Sequence, residues 1–371
     1  HTTTYSHDTL GRLSWVDFHD GTWRSFTYTP AGLPDQIQGP QGTKSLHYDA
    51  NNRLILQENV DATWLEYAYD AAGNRTDLTT ANGTTHFTYD ELNRLSTVTD
   101  RNGLATAYDY SAVGSRAAVY YPNGTQTHYS YDALNRLTEL TNQRSDFSLL
   151  SNYQYTLSPT GNRTHVLESS GRQVQYSYDD LYRLTQEAIS DPLAGNKTFD
   201  YTYDAVGNRL AKAEDGAVTT YVYDANDRLL STAGAEVSNF TYDLNGNTLS
   251  KNGLDGLTTY SYDAENRLIQ ATTPQGNLAY RYDEVGIRIA EIVNGVTTRH
   301  LVDSNRDYAQ VLEEIDTNDK LIASYLHGDD LISMERINPD VPGTYAYHFY
   351  HYDGHGSVTG LSDETETLTD T

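Results

Sequence analysis

A seven-residue phrase recurs about every 20 residues from His7 to Tyr282, in full form as Tyr131-Asp132-Ala133-Leu134-Asn135-Arg136-Leu137. A fixed period of this length marks a repeat architecture before any single residue is weighed. With the Tyr slot as marker, fourteen units begin at 7, 28, 48, 69, 89, 110, 131, 155, 178, 203, 223, 242, 262 and 282, with His7 standing in for the first Tyr. Two forms alternate. In one, Arg follows Asp by four places, as in Tyr48-Asp49-Ala50-Asn51-Asn52-Arg53-Leu54; in the other a Gly and one more residue intervene, as in Tyr69-Asp70-Ala71-Ala72-Gly73-Asn74-Arg75. The true period is therefore a pair of units, roughly 41 residues.

The short form recurs at Tyr89, Asp90 and Arg94; at Tyr131, Asp132 and Arg136; at Tyr178, Asp179 and Arg183; at Tyr223, Asp224 and Arg228; and at Tyr262, Asp263 and Arg267. The long form recurs at Tyr203, Asp204 and Arg209. Some units depart from the pattern. Thr29-Pro30 replaces Asp-Ala after Tyr28, Ser111 and Thr156 replace Asp after Tyr110 and Tyr155, and Thr248 fills the Arg slot of the Tyr242 unit.

The approach to each Asp alternates aromatics at period two, as in Tyr67-x-Tyr69, Phe87-x-Tyr89 and Tyr201-x-Tyr203, which is strand patterning. Between units, Asn82-Gly83, Asn123-Gly124, Asn294-Gly295 and Asp215-Gly216 are hairpin signals, because these residues tolerate positive φ. Each unit therefore reads as strand, Asp-initiated turn, strand from Arg-Leu, and second turn. A helical solenoid needs apolar residues at i, i+3, i+4 and i+7 over long stretches, and none is present. The fold class expected is all-β, a tandem array of hairpins in one long antiparallel sheet.

The recurring residues have architectural duties. Asp accepts backbone N–H groups and starts a turn, Gly supplies a left-handed position, and Arg is expected to fold back onto the Asp carboxylate in both forms. The two Asp-to-Arg spacings imply hairpins with two different ends. Tyr is expected over Tyr in successive strands, and a one-residue slip would turn every pair to the wrong face.

Apolar residues are only 37% of the chain, and 32 of them are Tyr against 7 Phe, so the buried surface is expected to be largely tyrosine. With no Cys, disulfides and thiolate metal sites are excluded. A net charge of −26 argues against nucleic acid and anionic membrane as partners. Lys occurs five times, and 12 of the 20 Arg sit in the repeat slot, so little positive charge is left for a binding face. No stretch is long and apolar enough to span a bilayer as a helix. Because His1 lies just ahead of the first unit, a piece of a longer polypeptide is expected.

The alternating phrase resembles the YD repeat, or Rhs repeat, of Rhs proteins, wall-associated bacterial toxins, the Tc-toxin C component and teneurins, over residues 5 to about 290. The resemblance continues in Tyr350-His351-Tyr352-Asp353-Gly354-His355-Gly356-Ser357-Val358, which is similar to the Tyr-His-x-Asp-x-x-Gly-Ser-Val segment of the Rhs-associated core. It implies a long sheet of hairpins spiralling into a hollow β-shell, in several members closed around a C-terminal toxin. In those members an autoproteolytic stretch with catalytic aspartates follows; this sequence stops at Thr371, before any such stretch. Asp191-Pro192-Leu193-Ala194-Gly195 is superficially similar to the Asp-Pro-x-Gly signature but lies mid-array with an extra residue, and reads as a loop insertion.

The domain expectation is a YD array over 1–294 and a terminal or sealing module over 295–371, incomplete at its C-terminal end. Within it, residues 295 to 349 drop the period, Leu312 to Ile322 reads as a hairpin, and Asn338 to Thr344 as a Pro-bearing loop. His348, His351, Asp353 and His355 form the best metal or acid–base grouping, yet His348 and His351, three residues apart, do not share a strand face, and no metal is expected. The acidic turns Asp316-Thr317-Asn318-Asp319 and Asp243-Leu244-Asn245-Gly246-Asn247 are weak Ca²⁺ candidates without EF-hand spacing. No unit stands out as a catalytic constellation, so neither catalytic residue nor cofactor is expected.

Three functional classes follow. The first is a non-catalytic scaffold or shell segment of a large secreted or cell-surface bacterial protein, encapsulating or presenting a C-terminal effector carried on the same polypeptide. The second is an extracellular carbohydrate-binding or adhesive fibre, with glycans or end-to-end self-association as its partners. The third is an enzyme acting on polysaccharide.

Overall fold

The computed structural model describes residues 2–338, 341 and 343–370, so Pro339, Asp340 and Pro342 of the loop expected over 338–344 lie outside the described residues. Thirty-five strands form one antiparallel sheet, with strand after strand paired to its chain neighbour. No helix occurs among the described residues, and so none long and apolar enough to cross a membrane. The expected period-two patterning holds. In Trp64–Tyr69, Leu65 and Tyr67 are buried while Glu66 and Ala68, which alternate with them, are exposed.

Both forms of the repeat fold as the same turn, which corrects the expectation of two different hairpin ends. Asp49 N–H bonds the Arg53 carbonyl at 2.9 Å and Asn52 N–H bonds the Asp49 carbonyl at 3.0 Å; Asp70 N–H bonds Asn74 and Gly73 N–H bonds Asp70 at 2.9 and 3.2 Å. Tyr48 pairs with Leu54 and Tyr69 with Arg75, six residues apart in each case, so the long form carries no extra turn residue. Gly73 (φ 97°) fills the left-handed position that Asn52 (φ 63°) fills in the short form. A β-bulge follows each turn. The register shifts between Ala68 and Tyr69, leaving Thr76 unpaired opposite them.

The same turn also forms where the letters of the repeat do not mark it. After Tyr155 the turn starts at Ser158, whose Oγ accepts the Asn162 N–H at 3.1 Å, while Thr156 lies inside the strand Leu149–Leu157. Leu157 therefore holds the Tyr slot and pairs with Arg163. Beyond residue 294 the letters fade but the turn persists, at Asp316 (Ile315 opposite Leu321), Asp353 (Tyr352 opposite Val358) and Asp363 (Ser362 opposite Leu368). An Asp or Ser oxygen that accepts a backbone N–H of the turn, with a residue at positive φ, recurs at each of these turns, which is why the phrase can decay while its geometry survives. Asn294-Gly295 and Asp215-Gly216 are two-residue turns with both residues at positive φ, whereas Thr80 pairs with Gly83, making Ala81 and Asn82 the loop there.

The chain separates into two compact units. The first comprises His1–Ala107, Ser261–Ala271 and Gly276–His348. Within it, early strands meet late ones through ion pairs at nearly constant sequence offset: Arg24 with Glu265, Lys44 with Asp283, Arg75 with Asp303, and Arg101 with Glu335, at 2.6–3.0 Å. The second comprises Tyr108–Tyr260, Thr272–Gln275 and Phe349–Thr371. Its core gathers Leu140, Tyr153, Tyr155, Val166 and Val174, with Tyr129 and Tyr176 packed on them. The fully buried apolar set is mostly Leu, Val, Ile and Ala, joined by Tyr67, Tyr108, Tyr121, Tyr153, Tyr155 and Tyr221. The expectation of a tyrosine-dominated buried surface is thus corrected: most repeat tyrosines are half-buried, because their hydroxyls hold partners at the margin of the core.

Candidate functional site

The two forms of the repeat differ in where the arginine goes. In the short form Arg53 Nε donates to Asp49 Oδ2 at 2.7 Å, and the contact recurs at Arg12–Asp8, Arg94–Asp90, Arg136–Asp132, Arg183–Asp179, Arg228–Asp224 and Arg267–Asp263. The Arg53 backbone N–H, then its side chain, holds the Asp49 carboxyl below the ordinary carboxylate range. In the long form Asn takes this duty. Asn74 donates to Asp70 at 2.9 Å and Asn208 to Asp204 at 3.0 Å, which frees Arg75 and Arg209. They occupy the first strand position, held by Leu in the short form, and the expectation that every Arg returns to its Asp is corrected accordingly.

Arginines of both forms stack on rings. Arg53 lies over Tyr69 (4.8 Å to the centroid), Arg183 over Tyr203 (4.9 Å), Arg228 over Tyr242 (5.1 Å), and Arg209 over Tyr221 (4.4 Å). The expected tyrosine ladder is therefore one in which guanidinium groups alternate with rings. Tyrosine rather than Phe is needed for a second reason. Tyr69 donates its hydroxyl to the Leu54 carbonyl, Tyr89 to Arg75, Tyr131 to Arg116, Tyr178 to Arg163, Tyr203 to Leu184 and Tyr223 to Arg209, all at 2.7–3.0 Å. Every one of these bonds fastens a hairpin to the unit before it.

In the first unit the freed Arg75 meets a fully buried carboxylate that the sequence did not single out. Asp303 accepts from Arg75 Nη1 at 2.6 Å, from the Tyr67 hydroxyl at 2.9 Å and from the Asn305 N–H at 2.9 Å. Burial and then the Asp303 charge push the Tyr67 hydroxyl far above its ordinary range. Arg75 also stacks on Phe87, 5.0 Å from the centroid. The only signal in the sequence is an Asp ending the apolar run Leu301-Val302-Asp303.

In the second unit the Rhs-like segment makes a comparable lock. Asp353 caps its own turn through the N–H groups of His355 and Ser357 at 2.8 and 3.0 Å. The Gly354 N–H donates to the Tyr155 hydroxyl at 2.6 Å, and Arg163 stacks on that ring at 4.3 Å while donating to the Gly354 carbonyl. A Cβ on Gly354 would stand 2.7 Å from the Tyr155 ring. His351 is 1% exposed, bonded through Nε2 to Ser362 Oγ at 2.8 Å, with burial holding its pKa down to about 4. His348 falls to the first unit and His351, Asp353 and His355 to the second. Among the described residues no group of three or more His, Cys, Asp or Glu side chains converges as a metal-ligand set. Asp316 and Asp243 direct their carboxylates to backbone N–H groups of their own turns. Asp191 does the same with Leu193 and Ala194, as a loop insertion would.

One larger cavity, about 190 Å³, lies in the first unit between the turns Phe18–Thr22, Pro40–Gln41, Asp263–Arg267 and Asp283–Glu284. Trp23, Tyr280 and Tyr282 supply rings to its wall, and Arg24, Glu265 and Glu284 supply charge.

The Teneurin YD-shell family model matches residues 140–369, and the RHS Repeat model matches residues 48–85, 69–106 and 110–143. A tRNA3(Ser)-specific nuclease WapA of Bacillus spizizenii is 38% identical over 88 residues, which is 23% of this chain and 3% of that protein. The Photorhabdus luminescens Tc holotoxin pore containing TccC3 matches 98% of this chain and 26% of its own at TM-score 0.55 and 14% identity. TcdB2–TccC3 without its hypervariable C-terminal region matches 99% of this chain and 30% of its own at TM-score 0.52 and 12% identity. The chain thus spans a small part of each relative. With the family model covering more than half of the chain, and with the Asp-turn hairpin built throughout, this protein belongs to the Teneurin YD-shell family.

Proposed function

We propose that this chain is a non-catalytic wall segment of a larger secreted or cell-surface bacterial polypeptide that encloses or presents a C-terminal effector. The observation that carries this reading is the use of the recurring polar groups: the Asp carboxylates bond their own turns, the Tyr hydroxyls bond the preceding unit, Arg75 bonds the buried Asp303 and Arg163 bonds the Gly354 carbonyl. Groups held this way build a wall and do not turn over a substrate. The likeness to a WapA nuclease over 3% of its length supports placing any catalysis outside the repeat, and the likeness to TccC3, whose C-terminal region is hypervariable, supports an effector downstream. In this reading residues 1–294 are wall and 295–371 are the module that seals it.

The test is limited proteolysis of the full-length gene product. The segment following residue 371 should survive intact while the wall is folded, and should be cleaved once Arg75→Ala and Asp303→Ala loosen it. Cleavage of that segment at the same rate with the wall intact would contradict enclosure.

A further inference from the structure

One face of the second unit is uncharged over five consecutive strands, Arg209–Glu214, Ala217–Tyr223, Leu229–Gly234, Ser238–Tyr242 and Thr248–Gly253. Directly paired residues share a face. The pairs Ala213–Val218, Val222–Ser231, Thr241–Ser250 and Asn252–Leu257 trace the face opposite the repeat tyrosines, and between residues 210 and 259 every strand residue on it is Ala, Val, Leu, Ser, Thr or Asn. Elsewhere this face carries charge, as at Glu66, Glu139 and the Asp77–His86 pair. The bulge residue changes as well. It is Thr76, Thr138, Thr164 and Thr185 in earlier hairpins but Leu210, Leu230 and Leu249 here, all three exposed. Val218, Val222 and Leu257 stand about half exposed on the same face, at 47–53%. Residues 205–253 hold four Lys or Arg against six Asp or Glu, a net of −2 out of the chain's −26.

We infer that this face packs against the same face of a second copy, forming a two-fold dimer. Uncharged side chains offer no purchase to a charged ligand, while six large apolar groups grouped in water favour a partner that covers them. Two flat sheet faces pack about 10 Å apart with their side chains interdigitating. A two-fold contact needs one patch compatible with itself, and a like-charged copy is repelled least at a face without charge. Six strands at ~4.8 Å, counting the one that bears Leu257, and four residues at ~3.3 Å give a footprint of roughly 400 Å² per copy, against about 800 Å² in a standard stable interface. The dimer is therefore weak and concentration-dependent. Because the rest of each chain is acidic, added salt strengthens it. This inference goes beyond the wall reading and does not depend on it.

The experiment is sedimentation velocity on the whole chain from about 1 to 200 μM, at about 0.05 and 0.5 M NaCl. The parent should pass from monomer to dimer as concentration rises, and at lower concentration in the higher salt. Leu230→Glu and Leu249→Glu place like charges inside the contact and should each raise the dissociation constant by about tenfold or more. Leu181→Glu, at the tip of the Asp179 turn and off this face, should leave it unchanged. All three side chains are exposed, and melting curves verify that each variant is folded. A parent that stays monomeric at every concentration and salt, which would leave this face to a different partner, overturns the proposal. So does a dimer that both Glu variants of the face leave intact, or one that Leu181→Glu weakens equally.

Discussion

Tyr69 donates its hydroxyl to the backbone carbonyl of Leu54 at 2.8 Å, tying the end of one hairpin to the first strand residue after the previous turn. Tyr69 also accepts from Asn305 Nδ2 at 3.0 Å and carries the Arg53 guanidinium on its face. One side chain therefore joins two turns and a loop late in the sequence of the same unit. The repeat specifies Tyr here because a ring without the hydroxyl would keep the stack and lose the fastening.

Tyr69→Phe should lower stability by roughly 0.5–1.5 kcal/mol, the net worth of an intramolecular hydrogen bond. Chemical unfolding of the variant against the parent measures this. The same change at Tyr131, bonded to the Arg116 carbonyl at 2.9 Å, should fall in the same range.

Gly73 sits at φ 97°, and a Cβ added there would meet nothing within 4 Å, so Gly73→Ala isolates backbone strain from crowding. It should cost about 1 kcal/mol or more. Asn52→Gly, at the corresponding position with φ 63°, should change stability by far less, since the native conformation already suits Gly. Thermal melts of the two variants distinguish these outcomes.

His351 is kept neutral by burial, with its pKa lowered from 6.5 to about 4. The unfolded chain takes up a proton below pH 6.5 while the folded chain does so only near pH 4, so stability falls as pH drops through that window and levels off below it. The contribution is roughly 3 kcal/mol at most. Burial lowers His300 and His327 in the same direction and deepens the slope. His351→Gln should flatten the part of the pH–stability profile owed to this ring, measured by unfolding between about pH 7 and 4.

The strand-turn-strand grammar was legible because its determinants are local: Asp49 bonds N–H groups two and four residues away, and the alternation of Tyr67 and Tyr69 needs only a neighbouring strand. The turn at Ser158 was hidden because Tyr155 and Thr156 imitate the motif two residues early, and only strand pairing shows that Leu157 stands in the slot. The destination of Arg75 was hidden for a different reason. Its partner Asp303 is 228 residues away, in a segment whose letters no longer follow the repeat. The same holds for Glu284 and Gly39, whose closeness is a product of packing between turns far apart in sequence.

Alternate units use arginine differently, Arg53 as a local turn clamp and Arg75 as a buried tie between distant strands. Double-mutant cycles on the pairs Arg75–Asp303 and Arg53–Asp49, read by guanidinium chloride unfolding of the whole chain, test this division most directly. Removing Asp303 should cost about 3–5 kcal/mol by leaving Arg75 uncompensated, with strong coupling inside that pair and markedly weaker coupling in the more exposed one. Equal coupling in the two cycles, or an Arg75→Ala variant as stable as Arg53→Ala, would contradict it.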